Sequence, residues 1–130
     1  MAHYLDTSAL VKLVVAEPET AALRAWLGET DRTPVASDLA RTELMRAVRR
    51  VAPDLVLRAR AVLDSVTLIE ITTSLIEDAG RLDPTALRSL DALHIAAALD
   101  LGDDLDGLVT YDDRMAQAAA LNGISITVPA

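Results

Sequence analysis

Four acidic residues of this chain stand where carboxylates could act together on a ligand. Asp6 and Asp112 each follow a short apolar run that predicts a β-strand, whereas Glu43 and Asp91 lie early in predicted helices. Carboxylates gathered in a cleft repel one another, and a divalent cation is the natural compensation at neutral pH. Because the chain has no cysteine, its hard oxygen ligands favour Mg²⁺ or Mn²⁺. The chemistry this predicts is metal-assisted attack by water.

Each of the four acids also has an ordinary structural explanation. Asp6 and Asp112 could be the N-caps of the helices that follow them, although a capping carboxylate keeps an oxygen for other use. Glu43 could form a surface ion pair with Arg46 three residues later. Asp91 lies in a first helical turn, where acidic residues are favoured by the helix dipole. The residues alone therefore leave both explanations open.

Neighbouring side chains could support or imitate such a site. Ser8 follows Asp6 by two residues and Thr110 precedes Asp112 by two, so either hydroxyl could bond an acid or a water at a metal. His94 lies three residues after Asp91 and could add an imidazole ligand. Its apolar neighbours favour instead a partly buried core histidine. Asp113 is expected to be a solvated acid of the first helical turn.

Strands and helices alternate along the chain. Strands are predicted over residues 3–6, 34–37, 66–71, 108–110 and 124–128, and an acidic turn over 102–107. Helices are predicted over residues 8–16, 19–28, 38–52, 53–65, 73–82, 90–101 and 112–121, with Thr7 or Ser8 capping the first and Ser89 the sixth. Helical crossovers between strands predict a parallel, doubly wound α/β sheet. Ligands bind such sheets outside the carboxyl ends of the strands, where Asp6 and Asp112 would lie.

Length and composition predict one domain over residues 1–130. With 52% apolar residues, a chain of 130 residues can bury a sizeable core. Two Tyr, one Trp and no Phe argue against base stacking as the binding mode. The lack of cysteine excludes disulfides and thiol nucleophiles and is compatible with a reducing compartment. Neither a signal peptide nor a membrane span is recognisable, so we expect a cytoplasmic protein without membrane attachment.

The charge is distributed unevenly along the chain. A net charge of −8 argues by itself against non-specific binding of nucleic acid. Residues 32–60, however, hold seven Arg and three acids, a local balance of +4 that leaves −12 for the rest. This pattern predicts either a basic surface beside an acidic pocket or a solvated helical face without a partner.

Four segments together resemble one known family. They are residues 5–12 (LDTSALVK), 42–44 (TEL), 90–98 (LDALHIAAA) and 109–115 (VTYDDRM). They resemble the PIN-domain family and, more narrowly, the VapC toxins of bacterial and archaeal toxin–antitoxin pairs. The resemblance covers essentially the whole chain, in order and with compatible spacing. It implies a three-layer α/β/α fold with a central, mostly parallel sheet of order 3-2-1-4-5 flanked by helices.

The resemblance also implies a function. The implied function is that of a Mg²⁺- or Mn²⁺-dependent endoribonuclease toxin. Its acidic quartet would be Asp6, Glu43, Asp91 and Asp112. The hypothesis is that Asp6, Asp91 and Asp112 bind the metal while Glu43 orients the attacking water. The remaining assignments are Ser8 and Thr110 as supporting hydroxyls, and Arg46, Arg49 and Arg50 as contacts to RNA or, equally, to an antitoxin. The expected partners are RNA, a VapB-like antitoxin and a second copy of the chain, in a homodimer and a toxin–antitoxin hetero-oligomer.

Two other functions remain as alternatives. In a non-catalytic binding module, the acids would only cap helices and the protein would work by occupying a partner. In an aspartyl-phosphate domain, Asp6 would be the nucleophile. That class needs a second Asp two residues later or a Lys late in the sheet, whereas this chain has Ser8 and a single Lys, Lys12.

Overall fold

In the part of the chain that the structure describes, five parallel strands form the centre of the fold. The computed structural model describes residues 2–130, and its strands are β1 (Ala2–Leu5), β2 (Thr33–Ser37), β3 (Thr67–Ile69), β4 (Leu105–Val109) and β5 (Ile126–Thr127). Their order in the sheet is β3-β2-β1-β4-β5, and every neighbouring pair is parallel. The predicted strand order 3-2-1-4-5 is confirmed.

Among residues 2–130, seven α-helices cover the two faces of this sheet. They are α1 (Thr7–Val14), α2 (Thr20–Gly28), α3 (Leu39–Val51), α4 (Val56–Ser65), α5 (Thr73–Gly80), α6 (Ser89–Leu99) and α7 (Asp113–Leu121). Helices α1 to α4 share one apolar core with the sheet, and α6 and α7 share a second core with its other face, to which α5 packs through α6. The predicted three-layer α/β/α architecture is therefore confirmed. Among residues 2–130, no helix has the length and apolar character needed to cross a membrane.

Strand β1 shows how the two cores are divided. Leu5 packs with Leu10 and Leu44 on one face, whereas Tyr4 packs with Ile95 on the other, as the alternation of side chains along a strand requires. All five side chains are fully buried, and burial of an apolar side chain of this size contributes about 1.5–3 kcal/mol. A central strand buried on both faces holds its carboxyl end firmly, and Asp6 follows directly.

Several predicted boundaries are wrong. The acidic turn predicted over 102–107 covers only a short 3₁₀ turn (Gly102–Asp104), because β4 already begins at Leu105, where its backbone pairs with β1. The edge strands β3 and β5 are shorter than predicted, since each pairs with one neighbour only. Helix α6 begins at Ser89, so Arg88 and not Ser89 is its N-cap. Pro53 begins a 3₁₀ turn that precedes α4.

Candidate acidic site at the carboxyl edge of the sheet

Asp6 is the N-cap of α1 and is almost fully buried. Its Oδ1 accepts hydrogen bonds from the Ser8 hydroxyl at 2.6 Å and the Ala9 N–H at 3.1 Å, and its Oδ2 accepts one from the Thr110 hydroxyl at 2.6 Å. Only 4% of the residue is exposed. The predicted capping of α1 by Thr7 or Ser8 is wrong, because Asp6 is the N-cap and its side chain accepts the N–H of Ala9 in the first helical turn.

Burial dominates the electrostatics of Asp6. Removal from water raises the pKa of this carboxyl above its ordinary value, and the hydrogen bonds from Ser8, Thr110 and Ala9 oppose that rise without cancelling it. An ionised group in this position costs several kcal/mol, by order of magnitude, unless a positive charge compensates it. A carboxylate also has about four acceptor positions, and three donors leave one position for a further ligand.

Two hydroxyls connect Asp6 to the segment after β4. Thr110 Oγ1 accepts the N–H of Asp112 at 3.0 Å, and Ser8 Oγ accepts the N–H of Tyr111 at 2.9 Å. Both hydroxyl protons point to Asp6, so the 3.3 Å approach of the two hydroxyl oxygens is a packing contact. Ser8 and Thr110 thus lie between the ends of the two central strands.

Arg88 lies between two of the other acids. Its Nε is 3.2 Å from Asp91 Oδ2, and one of its terminal nitrogens is 3.8 Å from Asp112 Oδ2. Asp112 Oδ1 accepts the backbone N–H groups of Arg114 at 2.9 Å and Met115 at 3.4 Å, which makes Asp112 the N-cap of α7. Each of these two acids therefore combines a place at a helix N-terminus with a contact to one guanidinium.

Glu43 is held through a single carboxylate oxygen. Oε1 accepts the hydroxyl of Thr7 at 2.9 Å and lies 2.5 Å from Nε2 of His94. Burial, the largest influence, would raise the pKa of Glu43, but the hydrogen bonds from His94 and Thr7 and the attraction to the imidazole together lower it below its usual value. The ion pair considered with Arg46 is not formed; among the described residues, Glu43 instead contacts the imidazole of His94, a contact that is an ion pair only when the ring is protonated.

His94 is buried as the sequence indicated, with 3% of the residue exposed, but it is more than a core residue. Besides Glu43, its ring contacts the phenol of Tyr4, with 2.7 Å between the hydroxyl and Nδ1. The sequence therefore predicted only a core role for a residue that contacts Glu43 of the acidic site. The signals were its spacing of three from Asp91 and the position of Tyr4 two residues before Asp6.

Three of the four acids are linked by side-chain contacts, and Glu43 is linked to them only through residues that are near them in the sequence. Thr110 joins Asp6 to Asp112, Arg88 joins Asp112 to Asp91, Thr7 follows Asp6 and bonds Glu43, and His94 lies one turn after Asp91. Within residues 2–130, however, no three His, Asp or Glu side chains are arranged so that they could hold a metal ion. In this arrangement Arg88 contacts two of the acids, and hydroxyls donate to a third. As donors, carboxylates and hydroxyls fit a hard divalent cation.

Two adjoining clefts extend from Glu43 over α3. A groove of about 490 Å³ has walls that include Thr7, Glu43, Arg46 and Arg50, and a second cleft of about 250 Å³ is lined by Arg46, Arg49 and Arg50. The three arginines are exposed. Arg46 and Arg50 line both clefts, so the basic surface predicted from the charge distribution adjoins the acidic network.

Lys12 does not serve the acidic site. Its ammonium lies 3.0 Å from Glu19 and 3.5 Å from Glu17, in the connection between α1 and α2. Those contacts raise the pKa of Lys12 against the effect of burial, which would lower it. Phosphotransfer of the receiver type requires a lysine close to the aspartate that is phosphorylated. The single lysine of this chain instead contacts Glu17 and Glu19.

Sequence comparisons find the following similarities. Residues 3–121 match the family model described as PIN domain. The chain is 44% identical over 128 residues to a protein of Mycobacterium tuberculosis named Ribonuclease VapC46, with 98% of each chain covered. It is 45% identical over 119 residues to Ribonuclease VapC47 of the same species, covering 86% of this chain and 85% of that protein.

Solved structures share the fold at low sequence identity. The crystal structure of Mycobacterium tuberculosis VapC20, described as a sarcin–ricin loop cleaving toxin, superposes with a TM-score of 0.74 at 18% identity and covers 89% of this chain and 94% of that one. A chain from VapBC2 of Rickettsia felis, bound to a DNA fragment from its promoter, superposes with a TM-score of 0.74 at 15% identity, with both chains covered completely.

Proposed function

The chain belongs to the PIN domain family, within its VapC branch, and from that premise we propose that it is a divalent-metal-dependent endoribonuclease that acts as the toxin of a toxin–antitoxin pair. Its curated relatives at 44% and 45% identity are named ribonucleases. The proposed cofactor is Mg²⁺ or Mn²⁺, and the proposed metal-binding residues are Asp6, Asp91 and Asp112.

The observation that supports this proposal most directly is the environment of Asp6. The residue is buried, its pKa is raised by that burial, and one of its acceptor positions is left over by its three donors. A purely capping aspartate gains from partial exposure to water, whereas this one has its charge removed from water. A cation at this point would compensate the charges of Asp6 and of the two other aspartates joined to it through Thr110 and Arg88.

A glutamate, two hydroxyls and three arginines each have a role in the proposed hydrolysis of an RNA phosphodiester. A divalent cation, when bound, supplies positive charge that stabilises the phosphate as negative charge develops on it. Glu43 accepts a proton from the attacking water and orients it, a role typically worth about 10²–10⁴ in rate. Ser8 and Thr110 fix the carboxylate of Asp6. Arg46, Arg49 and Arg50 hold the RNA backbone, because guanidinium groups bind phosphate in a forked geometry.

The proposed protein partner is a VapB-like antitoxin. Two structures that share the fold are named as VapBC, one from Rickettsia felis and one from Haemophilus influenzae, the latter with a TM-score of 0.69 at 16% identity and 98% of both chains covered. Val51 on α3 and Leu57 on α4 are exposed apolar residues on the helical layer beside the arginines, and they are candidate contacts. The homodimer, the hetero-oligomer, the single-domain organisation and the cytoplasmic location stay predictions.

The test is cleavage of RNA by the purified protein. Wild type with Mg²⁺ or Mn²⁺ should cut single-stranded RNA, excess EDTA should abolish the cutting, and replacement of the metal should restore it. Asp6→Asn should be inactive with the metal present. Mapping the 5′ ends of cellular RNA after brief expression of wild type and of Asp6→Asn would identify the target at the same time.

The rival functions predict different results in cleavage, metal-binding and labelling experiments. Equal cleavage in EDTA, or full activity of Asp6→Asn, would overturn the metal-dependent mechanism. A protein that binds an antitoxin but neither binds Mn²⁺ in calorimetry nor cuts RNA would be the non-catalytic binding module. Labelling of Asp6 by a phosphate analogue would indicate the aspartyl-phosphate class.

A further inference from the structure

His94 connects the two helical layers at the carboxyl edge of the sheet. Its helix, α6, packs on the same sheet face as Tyr4, whereas Glu43 belongs to α3 on the opposite face. The imidazole contacts both residues, at 2.7 Å to the Tyr4 hydroxyl and 2.5 Å to Glu43 Oε1. A buried polar ring that spans two layers in this way orients whatever it bonds.

The chemistry of the three groups assigns their protons. A carboxylate can only accept, so the proton between His94 and Glu43 is carried by Nε2 of the imidazole. The Tyr4 hydroxyl lies 2.7 Å from Nδ1 of His94, and a phenol carries its proton at neutral pH, so Tyr4 can donate to that nitrogen. A neutral imidazole with hydrogen on Nε2 has its lone pair on Nδ1, where it accepts from Tyr4. Both ring nitrogens of His94 and the hydroxyl of Tyr4 are then hydrogen-bonded.

The same contacts distinguish the two oxygens of Glu43. Oε1 receives two donors, the hydroxyl of Thr7 and Nε2–H of His94. Among the hydrogen bonds and ion pairs of residues 2–130, none that the structure describes involves Oε2, although the carboxylate lines the groove that leads to Arg46 and Arg50. One oxygen is therefore fixed by two elements, and the other remains available for a proton.

We propose that His94 is a positioning residue for the ribonuclease reaction: with Tyr4 behind it and Thr7 beside it, His94 holds Oε1 of Glu43 so that Oε2 is the oxygen that takes the proton of the attacking water. This rests on the proposed function. It adds two residues, His94 and Tyr4, to those that determine the rate, and both act through Glu43. In the first proton transfer, the water's O–H bond breaks and the new O–H bond forms at Oε2.

Three variants test the role of this pair. His94→Leu removes both ring nitrogens, His94→Gln keeps an amide N–H that can reach the position of Nε2, and Tyr4→Phe removes only the phenol oxygen. Tyr111→Phe is the matched control, since its hydroxyl bonds the backbone carbonyl of Pro129 and not the acidic network. Steady-state kinetics on a short RNA at saturating Mg²⁺ separate kcat from KM, and thermal melting reports whether each variant folds.

The expected result is a loss in kcat whose size depends on which hydrogen bonds each variant removes. His94→Leu should lower kcat by about 10- to 100-fold, the usual range for removing a group that orients an active-site residue, with KM within about threefold of wild type. His94→Gln should recover most of that loss, and Tyr4→Phe should lie between Gln and wild type. Equal losses for Leu and Gln, a loss in KM alone, or a folded Tyr4→Phe and His94→Leu with wild-type kcat would each overturn the proposal.

A spectroscopic measurement separates this proposal from the proposed function. Nitrogen-15 NMR of histidine-labelled, metal-free protein should show the hydrogen of His94 on Nε2, and Tyr4→Phe should shift the Nδ1 resonance. If wild type cuts no RNA, the proposed function fails whatever the tautomer. If wild type cuts RNA but hydrogen is found only on Nδ1 of His94, the positioning role fails alone.

Discussion

Thr110 donates a 2.6 Å hydrogen bond from its hydroxyl to Oδ2 of Asp6, two residues that are 104 positions apart in the chain. The bond is buried and joins the ends of the neighbouring strands β1 and β4. Because the same hydroxyl accepts the N–H of Asp112, one side chain fixes the backbone of one proposed metal-binding residue and the carboxylate of another. The close placement of the two acids therefore depends on Thr110.

Replacing Thr110 by Val keeps the shape of the side chain and removes the hydroxyl. Asp6 would lose a donor while remaining buried, and the N–H of Asp112 would lose its acceptor. We expect the metal-free protein to be destabilised by about 1–3 kcal/mol, the cost of leaving a buried polar group unsatisfied. Urea unfolding at pH 7 in EDTA measures this. Thr67→Val on the exposed edge strand should change stability by less than about 0.5 kcal/mol, and equal effects of the two changes would contradict the assignment.

The central part of the fold was predictable from the sequence because its signals are local. The apolar runs before Asp6 and Asp112 indicated β1 and β4, and helical crossovers implied parallel strands whose ends meet. The edges of the sheet were less predictable. β5 pairs over only two residues, Ile126 and Thr127. β4 begins at Leu105 because its backbone pairs with distant β1, and the acidic sequence around Leu105 gave no sign of a strand.

The site was predictable only in part, for a related reason. Asp6 and Asp112 could be brought together by topology, but the helical positions of Glu43 and Asp91 carry no information about their tertiary partners, and the family resemblance supplied them. His94 contacts Glu43 across 51 residues of sequence, and no periodicity could reveal that pair. Arg88 was missed because an exposed arginine beside a helix start is ordinary.

Asp112 and Asp113 are adjacent acids with different proposed roles, so they provide a matched pair. Asn caps helices about as well as Asp, so Asp112→Asn should leave the melting temperature of the metal-free protein nearly unchanged. Its affinity for Mn²⁺ should fall by at least about tenfold, as expected when a hard cation loses a charged ligand. Asp113→Asn should affect neither quantity. Isothermal titration calorimetry and thermal melting measure both, and equal loss of affinity in the two variants would contradict the assignment.

Arg88 is expected to compete with the metal for Asp91 and Asp112. Its guanidinium contacts both carboxylates, although 62% of its side chain is exposed. Exposed pairs are worth up to about 1 kcal/mol, so Arg88→Gln should tighten Mn²⁺ binding by about two- to fivefold. Arg81→Gln is the control, because Arg81 forms an exposed pair with Asp78 on α5. Weaker Mn²⁺ binding by Arg88→Gln would contradict competition.

Glu43 should make stability depend on pH in the acidic range. Its pKa is lowered in the folded protein, since the donors His94 and Thr7 outweigh the effect of burial. The unfolded chain therefore binds a proton more readily, so this stabilising contribution is present above pH 4.5, the ordinary value for the group, and is lost as pH falls through the lower folded pKa. The difference in unfolding free energy between wild type and Glu43→Gln in EDTA should shrink from pH 6 to pH 3. A difference that is constant or grows would contradict it, and the exposed Glu77→Gln serves as control.

Arg46 and Arg50 should bind RNA phosphates, because they line both the groove at Glu43 and the basic cleft beside it. The measurement is fluorescence anisotropy with single-stranded RNA, in a Glu43→Gln background so that cleavage does not interfere. Removing both arginines as Arg46→Gln/Arg50→Gln should weaken binding and reduce the slope of log K against log salt by about 0.7 for each phosphate that is no longer neutralised. Arg58→Gln/Arg60→Gln removes the same charge from exposed positions on α4 and should leave the slope unchanged. Removing a guanidinium that neutralises a phosphate must alter the salt dependence of RNA binding. If the first variant has an unchanged slope and binds a VapB-like antitoxin more weakly, these arginines contact the protein partner and not RNA.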